Sequence, residues 1–315
     1  MKLLVVIVNY KTASLSLRAV ASALPEVSRH GGRIAVVDNA SGDDSPAVLR
    51  VGLAALGDAP VSLLLSERNG GFGAGNNLAI REALSGDDPP ELIYLLNPDA
   101  VVQPGAIDTL VRFMDEHPAA GIAGSHIVNP DGTTHVSAFR FPSPLGEVEG
   151  ALRLGLATRL LQRWSVWSLP CDRTEPVDWV SGASTMIRRE LLESVGLFDE
   201  NFFLYFEETD LCRRAAEAGW ERWFVREATV VHEVAAATGI KDNKKPVPTY
   251  WFDSRRYYFL KQGGKPELWL ANVGWLAAAT AWRLRRRIQG KPAVDPPRQL
   301  RDFVRHALGG TARRR

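Results

Sequence analysis

The chain has 315 residues, of which 45% are hydrophobic and 23% charged, so it can bury a sizeable core in one large domain or in a domain with an appendage. Its two cysteines, Cys171 and Cys212, exclude a disulfide framework and fit a reducing compartment. No apolar run is long enough for a membrane-spanning helix, and the apolar run Leu3–Val8 is too short for a signal peptide.

Charge is distributed unevenly along the chain, although the net charge is only +2. Residues 1–250 carry 23 Lys and Arg against 32 Asp and Glu, whereas residues 251–315 carry 15 against 4. A basic C-terminal segment of this kind is expected to meet an anionic partner, either membrane headgroups or nucleic acid.

Strand and helix patterns alternate along the first 117 residues. Short apolar runs rich in β-branched residues predict strands at Leu3–Val8, Ile34–Val37, Val61–Leu65 and Leu92–Leu96. Helical patterns follow these strands in turn, at Thr12–Ala23, Ser45–Leu56, Gly75–Leu84 and Pro104–His117. This alternation predicts a doubly wound α/β domain with a parallel sheet.

Four polar residues fall at or shortly after the ends of the predicted strands, namely Asn9, Asp38, Asn69 and Asp99. In sheets of this class, ligands bind at the carboxyl ends of the strands. One such residue would mean little, but four together predict a shared binding crevice.

The pattern is looser after residue 120. Strands are predicted at Gly121–Val128, Trp179–Arg188 and Trp223–His232, the second of them interrupted at Ser181-Gly182-Ala183. The remaining predictions are a hairpin turn at Asp131-Gly132, helices at Leu145–Trp164 and Leu204–Ala218, and a polar loop at Gly239–Pro248.

The last part of the chain combines apolar and basic character. Leu268–Trp282 is apolar and contains Trp269 and Trp275, and the run Arg283-Leu284-Arg285-Arg286-Arg287 follows it. As a helix, Leu268–Trp282 would measure about 22 Å, less than the roughly 30 Å of a bilayer core. The segment therefore predicts a helix that lies in a membrane interface.

Three segments at the strand ends have both a functional and a structural interpretation. Asp99 follows Asn97-Pro98, and its carboxylate suits Mg²⁺ or Mn²⁺, but Asn-Pro-Asp is also good turn chemistry. Asp38 suits a ribose or a nucleobase N–H, or an Asx turn that caps the next helix. The loop Asn69–Asn77 contains four glycines and three asparagines, which suit a phosphate cradle or a flexible connection.

An acidic cluster and a histidine lie later in the chain. Glu207-Glu208-Thr209-Asp210 opens a predicted helix, where acids are favoured by the dipole, but three acids exceed what capping requires. Helical spacing places Glu207, Asp210 and Arg214 on one face and leaves Glu208 as a candidate general base. His232 ends a strand and becomes a ligand candidate only if it meets Asp99 in space.

In combination these segments resemble the family 2 glycosyltransferases of the GT-A fold, over roughly residues 3–235. Six motifs in the family's order carry the resemblance: Val6–Tyr10, Val37–Ser41, Asn69–Asn77, Leu96–Asp99, Trp179–Ala183 and Phe206–Arg214. The subgroup that the chain most resembles is the rhamnosyltransferase-like enzymes, which build bacterial cell-envelope polysaccharides on lipid carriers.

The resemblance implies a domain organisation. A Rossmann-like GT-A catalytic domain with a mostly parallel central sheet and flanking helices would span residues 1–240. Its nucleotide-binding half would be about 1–120 and its acceptor-binding half about 121–240. A helical, basic, membrane-associating extension would occupy residues 241–315.

The resemblance also implies roles for individual residues. The donor-binding set would be Val8, Asn9, Tyr10, Asp38, Asn69, Gly70, Gly71, Asn76, Asn97, Pro98 and Asp99. The acceptor-binding set would be Trp179, Ser181, Gly182 and Ala183. Asp99 and His232 would hold Mg²⁺ or Mn²⁺, and more of that task falls on Asp99 because Asn97 stands where the family motif has its first acid. Glu208 would be the catalytic base, with Glu207 and Asp210 as neighbouring candidates.

The activity that the resemblance implies is an inverting, metal-dependent sugar transfer. A nucleotide-diphosphate donor, with dTDP-rhamnose as the first expectation, would give its sugar to a hydroxyl of a lipid-linked or polysaccharide acceptor. Galactofuranose, N-acetylglucosamine and glucose remain alternative donors, and a homodimer is left open. The expected location is cytoplasmic, at the inner face of the cytoplasmic membrane, with residues 265–315 on anionic lipid.

Two other function classes compete with this interpretation. A nucleotidyltransferase would prefer a glycine-rich, basic loop after the first strand, where this chain has Asn9-Tyr10-Lys11-Thr12. A non-enzymatic adaptor would use the basic tail on membrane or nucleic acid. Nucleic acid is not expected, because the basic run adjoins an apolar tryptophan-bearing helix and no nucleic-acid-binding motif is present.

Overall fold

The computed structural model describes residues 3–167, 172–233 and 245–309. These residues form two compact units. The first contains residues 3–139, 172–203 and 207–233, and the second contains residues 140–167, 204–206 and 245–309. Residues 140–167, which the sequence places in the acceptor-binding half, thus pack with the C-terminal helices.

The first unit is built on one mixed sheet. Its strands, in chain order, are β1 Leu3–Asn9, β2 Arg33–Asp38, β3 Val61–Leu65, β4 Leu92–Leu96, β5 Ala100–Val102, β6 Ala120–Val128, β7 Thr134–His135, β8 Ala138–Phe139, β9 Glu175–Pro176, β10 Trp179–Val180, β11 Ser184–Arg188 and β12 Glu221–His232. The spatial order is β3-β2-β1-β4-β11-β6-β12-β5, with β7 beside β6, β9 beside β12, and β10 paired separately with β8.

The N-terminal half of the sheet is parallel, as the alternation of elements predicts. β1 pairs in parallel with β2 and β4, and β2 pairs in parallel with β3. β11 is antiparallel to both of its neighbours, so the sheet is mostly parallel but mixed. The carboxyl ends of β1, β2 and β4 consequently lie along one edge.

The helices, numbered in chain order, belong to both units. The first unit contains α1 Ala13–Arg29, α2 Ser45–Ala54, α3 Phe72–Leu84, α4 Ala106–Glu116, α7 Arg189–Val195 and α8 Glu207–Glu217. The second unit contains α5 Pro144–Leu152, α6 Gly155–Leu161, α9 Thr249–Ile288 and α10 Gln299–Gly309.

The core of the first unit explains why its strands are continuous apolar runs. Every residue of β1, β4 and β6 is buried, because helices cover both faces of a sheet of this kind. β3, at the end of the sheet, is only partly buried. Within the core, the Tyr94 hydroxyl bonds the Ser184 hydroxyl at 2.6 Å, and burial raises the pKa of Tyr94 to about 12.

Two predicted helices differ from the structure. The segment Leu145–Trp164 contains α5, α6 and a 3₁₀ turn at Gln162–Trp164 rather than one helix. α5 ends at Leu152, directly before Arg153, whose φ of 48° is left-handed. The helix predicted from Leu204 begins at Glu207, since Tyr205 and Phe206 have φ of 69° and 70°. Both breaks come from backbone conformations that the helical pattern does not reveal.

Helix α9 organises the second unit. Its non-helical residues Gly263 and Gly264 kink it. Before the kink, the buried Arg255 guanidinium bonds the Glu147 carboxylate of α5 at 2.9 Å. After it, the Trp275 ring packs at a tilt against Phe303 of α10, with ring centroids 4.1 Å apart.

The predicted interfacial helix Leu268–Trp282 lies within α9. Of the predicted loop Gly239–Pro248, residues 239–244 lie outside the described residues, and α9 begins directly after Pro248. None of the helices in the described residues combines the length and apolar character needed to span a bilayer.

Candidate active site

A buried hydrogen-bond network joins the ends of β1 and β2. The Asn9 amide nitrogen donates to Asp38 Oδ1 at 2.8 Å and to Ser41 Oγ at 3.2 Å. The Ser41 hydroxyl donates to Asp38 Oδ1 at 2.6 Å, and its backbone N–H donates to Asp38 Oδ2 at 3.1 Å. The network fixes Asp38 at the sheet edge, and Asp38 does not cap the next helix, because α2 begins at Ser45, directly after its N-cap residue Asp44.

The backbone is strained directly after these two strands. Lys11 and Ala40 have φ of 58° and 53°, in the left-handed region that residues with a Cβ rarely adopt. Such strain costs about 1–2 kcal/mol for each residue and is most common at functional sites. Tyr10, which lies between Asn9 and Lys11, is 40% exposed, whereas Asn9 and Asp38 are buried.

The glycine-rich loop is fixed by amides rather than flexible. The Asn69 side-chain oxygen accepts from the Gly71 N–H at 3.0 Å, and it also accepts from the Asn39 amide at 3.1 Å. The Asn39 amide donates in addition to the Gly71 carbonyl at 2.9 Å. Asn39 Oδ1 is buried and has no hydrogen-bond partner among the described residues, so it remains available as an acceptor.

Close packing explains the glycines of this loop. A Cβ on Gly71, whose φ is 88°, would lie 1.7 Å from the Phe203 carbonyl oxygen. A Cβ on Gly75 would lie 2.7 Å from Val8 Cγ1. The loop thus runs against the end of β1 before it enters α3, and α3 begins at Phe72 rather than at the predicted Gly75.

The two asparagines after this loop have different contacts. Asn76 donates to the Phe72 carbonyl at 2.9 Å, within its own helix. Asn77 donates to the Phe198 carbonyl at 2.9 Å and accepts from the Phe198 N–H at 3.1 Å. Asn77 therefore anchors α3 to the segment before α8, which is a structural contribution.

Asp99 and His232 meet, as a ligand role for the histidine requires. His232 Nε2 lies 2.9 Å from Asp99 Oδ1 and 3.4 Å from the Asn97 amide nitrogen. The pairing of β12 with β5 brings them together, since His232 lies opposite Ala100. His232 Nδ1 is buried without a hydrogen-bond partner in the described ranges.

These residues fit part of a divalent cation site. One carboxylate oxygen and one imidazole nitrogen at the same point suit Mn²⁺ or Mg²⁺, with oxygen ligands still to be supplied. Among the described residues no group of three His, Cys, Asp or Glu side chains is arranged to hold a metal ion. A cation at this point would consequently depend on ligands from a bound phosphate or water.

Glu208 lies at the start of α8 with one carboxylate oxygen buried. The Gly182 N–H donates to this carboxylate, and burial raises the pKa of Glu208 above its ordinary value of 4.5. Glu208 Oε2 has no hydrogen-bond partner within the described part of the chain. A carboxylate that is held at one oxygen and poorly solvated is suited to accept a proton.

The other two acids of this cluster are more deeply buried. Burial, followed by repulsion from Glu208, raises the pKa of Glu207, which is 2% exposed. Asp210 is fully buried and pairs with Arg214 Nε at 2.8 Å. Arg214 also donates to the Val195 carbonyl at 2.6 Å, so the predicted ion pair is present and ties α8 to the end of α7.

The interrupted strand connects Glu208 with the end of β4. The Ala183 carbonyl accepts from the Asn97 N–H at 2.9 Å, one residue away from the Gly182 N–H that holds Glu208. Trp179 stacks on Phe139 with ring centroids 4.2 Å apart. The break in the strand is therefore the point where the Asn97 segment and the acidic helix meet.

The predicted strand-end residues thus gather along one edge of the sheet of the first unit. Asn9, Asp38 and the Asn69 loop form one group, Asp99 and His232 a second, and Gly182 and Glu208 a third. Sequence reasoning did not single out Asn39 and Ser41 as site residues. Their position directly after Asp38, within the quoted motif Val37–Ser41, was the available signal.

Comparison with known protein families shows the family to which this chain belongs. The family model described as "Glycosyltransferase like family 2" matches residues 2–246. The chain belongs to glycosyltransferase family 2. The matched range contains each of the three groups at the sheet edge, and the predicted family assignment is confirmed.

The curated relatives of this glycosyltransferase include rhamnosyltransferases. An N-acetylglucosaminyl-diphospho-decaprenol L-rhamnosyltransferase of Mycobacterium tuberculosis is 31% identical over 269 residues, which cover 80% of this chain and 79% of the relative. The rhamnosyltransferase WbbL of Escherichia coli is 24% identical over 164 residues, 51% of this chain and 60% of WbbL.

Solved structures with low sequence identity share the fold of this family 2 enzyme. A mannosyltransferase of Pyrobaculum calidifontis, in complex with GDP-Man and Mn²⁺, has 15% identity and a TM-score of 0.58, and the alignment covers 98% of this chain and 79% of that one. GalNAc-T7 with UDP, GalNAc and Mn²⁺ has 14% identity and a TM-score of 0.62, covering 97% and 56%. The predicted α/β, GT-A-like fold is confirmed.

Proposed function

We propose that this family 2 glycosyltransferase transfers a sugar from a nucleotide-diphosphate donor to an acceptor hydroxyl, with inversion at the anomeric carbon. The observation that carries the proposal is the common sheet edge, where Asp38, Asp99 and Glu208 supply three chemically different environments. Asp38 accepts hydrogen bonds from neutral donors, Asp99 faces an imidazole, and Glu208 accepts hydrogen bonds from the backbone N–H groups of Glu208 and Gly182. These environments suit nucleoside binding, diphosphate binding and proton removal respectively.

The donor pocket proposed here begins at Asn9 and Asp38 and continues through the Asn69 loop. The other donor contacts proposed are Val8, Tyr10, Gly70, Gly71, Asn76, Asn97 and Pro98. Asn39 Oδ1 is added to this set, because a buried acceptor without a partner is costly unless a ligand donates to it.

Asp99 and His232 are proposed to hold a divalent cation together with the donor diphosphate. The cation would neutralise negative charge on the leaving diphosphate. The Mn²⁺ present with the two solved transferases supports a divalent metal. With Asn97 in place of a first acid, Asp99 provides the carboxylate at this point.

Glu208 is proposed as the base that removes the proton from the acceptor hydroxyl. The oxygen then attacks the anomeric carbon from the face opposite the diphosphate, the carbon–oxygen bond to the diphosphate breaks, and the proton stays on Glu208. The segment Trp179–Ala183 is proposed to contact the acceptor, since Gly182 in it already contacts Glu208. Glu207 and Asp210 are weaker candidates for the base because they are almost fully buried.

The substrates are proposed from the relatives. The mycobacterial relative is named for L-rhamnose transfer to a decaprenol diphosphate saccharide, which supports dTDP-rhamnose as donor and a lipid-linked saccharide as acceptor. With such an acceptor, the enzyme is proposed to act at the cytoplasmic face of a membrane. The basic, helical second unit is proposed to make that membrane contact, while a homodimer stays a prediction.

A thermal-shift panel tests this function. dTDP-rhamnose with Mn²⁺ is expected to raise the melting temperature by several degrees, because a ligand that binds only the folded state stabilises it. Other nucleotide sugars and metal-free samples serve as controls. Donor turnover should release the nucleoside diphosphate, whereas exchange of pyrophosphate would contradict the proposal and favour a nucleotidyltransferase. Retention at the anomeric carbon would contradict the direct displacement.

A further inference from the structure

The second half of α9 turns an apolar face to solvent. The exposed residues after Leu268 share one side of the helix at i, i+3 and i+4 spacing: Trp269, Leu270, Val273, Leu276, Ala277, Thr280, Ala281, Leu284, Arg287 and Ile288. Trp269 is 62% exposed and Ile288 is 78% exposed. Apart from Thr280 and Arg287, this face is apolar, and it contains no acid.

An open cavity of about 580 Å³ lies beside this face, between the end of α9 and the start of α10. Five arginines line it: Arg283, Arg286, Arg298, Arg301 and Arg305. Among the residues that the structure describes, Asp295 is the one acid that lines it. The first residues of α10, Gln299 to Arg301, also border the cavity, and a helix start favours an anion.

The positive charge in this cavity is not balanced within the described residues. Asp295 is shared by Arg153, Arg283 and Arg286, at 3.5, 3.8 and 3.9 Å. Arg298 and Arg305 have neither an ion pair nor a side-chain hydrogen bond among the described residues. Three arginines around one aspartate leave an excess charge.

Two further observations indicate that the cavity suits an anion. Arg286 Nε is buried and has no hydrogen-bond partner in the described part of the chain. The pKa of Arg283 is lowered, first by burial and then by the nearby Arg286 and Arg153, against the opposing effect of Asp295. An added negative group would satisfy the first and offset the second.

The cavity and the apolar face adjoin through Arg283. On α9 this residue lies between Trp282, which is buried, and Leu284, which is 60% exposed. It is also one helical turn before Arg287 on the exposed face. A molecule that lies along the apolar face therefore reaches the arginine cavity at its end.

We propose that this arginine cavity binds the phosphate group of an anionic lipid whose hydrocarbon chains lie against the exposed face of α9. Arginine suits phosphate because its planar N–H groups bond two oxygens at once. A free phosphate would satisfy the arginines but would leave the adjoining apolar face in water, which is why the structure favours a lipid. This lipid site rests on the membrane contact in the proposed function, and it gives that contact a defined location in the basic second unit.

The test uses the full chain and vesicles of phosphatidylcholine with or without an equal part of phosphatidylglycerol. The main variant is Arg298→Gln/Arg305→Gln, and its matched control is Arg50→Gln/Arg112→Gln, which removes two exposed arginines from the first unit. The main variant is expected to weaken binding to phosphatidylglycerol vesicles about 25-fold, since each basic residue near an anionic surface contributes a factor of about five. The control should bind like the parent chain.

A second variant examines the apolar face. Leu284→Asn/Ile288→Asn changes two exposed side chains, so the fold should be unaffected, and vesicle binding should fall roughly tenfold or more. Binding of pyrophosphate without divalent metal, measured by calorimetry, should be lost in the arginine variant and kept in the apolar variant.

Three results would overturn the proposal. Equal loss in Arg298→Gln/Arg305→Gln and in its control would mean unspecific charge attraction. Pyrophosphate binding with no binding to phosphatidylglycerol vesicles would assign the cavity to a free phosphate. Unchanged vesicle binding in both arginine variants would remove the site altogether. Donor-induced thermal stabilisation, measured on the same samples, reports separately on the proposed transferase function, because Arg298 and Arg305 lie outside the catalytic unit.

Discussion

The first unit holds acids inside the protein, whereas the second unit holds arginines at its surface. Glu207 and Asp210 are at most 2% exposed, and the buried oxygens of Glu207 and Glu208 have no partner among the described residues. In the second unit Arg298, Arg301 and Arg305 are exposed around an open cavity. Both units therefore contain charge that their own side chains do not balance.

The difference lies in what each arrangement costs. A buried carboxylate oxygen without a hydrogen bond destabilises the fold by about 1–3 kcal/mol, so its presence is best explained by a chemical task. An exposed arginine costs little and acts on a partner through attraction that salt can screen. The buried acids therefore suit the chemistry proposed for the first unit, and the exposed arginines suit the attachment proposed for the second.

The largest effect is expected for Glu208→Gln. Loss of the base should lower kcat by roughly 10²–10⁴-fold, because the amide cannot accept the proton. Donor binding in the thermal-shift assay should persist. Glu82→Gln, an exposed change on α3, is the matched control and should leave kcat unchanged.

The pH profile of the parent enzyme sharpens this assignment. Because burial raises the pKa of Glu208, the acidic limb of kcat should lie above the ordinary glutamate value of 4.5. At a pH below the pKa of Glu208, activity is expected to fall in proportion to the deprotonated fraction of this carboxyl group. Full activity of Glu208→Gln would instead assign the role of catalytic base to Glu207 or Asp210. It would also show that the unpartnered buried oxygen of Glu208 does not indicate a catalytic role.

Asp99→Asn should have the next largest effect. The amide can keep a hydrogen bond to His232 but removes the carboxylate, so we expect a loss of roughly 10²–10³-fold in kcat. The stabilisation that Mn²⁺ adds to donor binding should also disappear. Asp58→Asn, in an exposed turn, is the control. An undiminished Mn²⁺ effect in Asp99→Asn would place the cation elsewhere.

The sequence was informative where one local rule decides the structure. Leu92–Leu96 and Val61–Leu65 are strands with the predicted bounds, because a short apolar run between turn residues has few other conformations. The strand-end residues Asn9, Asp38 and Asp99 lie at one edge because parallel strands share a direction. The α/β fold could be predicted for the same reason, whereas the GT-A-like fold and the family were predicted from the resemblance of six motifs.

The sequence was less informative where distant contacts decide. α5 and α6 separate at Arg153, which is left-handed, and α8 begins after the left-handed residues Tyr205 and Phe206. None of these three residues is a glycine, so the sequence does not indicate the left-handed conformation. The antiparallel β11 inside the sheet depends on pairing with β4 and β6, segments far away in the chain. The arginine cavity is invisible in the sequence, because it needs the start of α10 to lie against the end of α9.

The smallest effect is expected for Gly71→Ala, which tests whether packing holds the catalytic edge in place before the donor binds. Gly71→Ala places a Cβ 1.7 Å from the Phe203 carbonyl oxygen, so the backbone must shift. Gly57→Ala is the matched control, since its φ of 62° is also left-handed but no atom lies within 4 Å of the added Cβ. Gly57→Ala should cost about 1–2 kcal/mol of unfolding free energy, the penalty of a left-handed alanine alone. Gly71→Ala should cost more and weaken donor binding, because the loop held by Asn39 and Asn69 moves with it. Equal losses of unfolding free energy in the two variants, measured by urea unfolding, would show that the loop adapts to the added Cβ. The catalytic edge of the first unit would then not be preformed by packing, despite its buried hydrogen bonds.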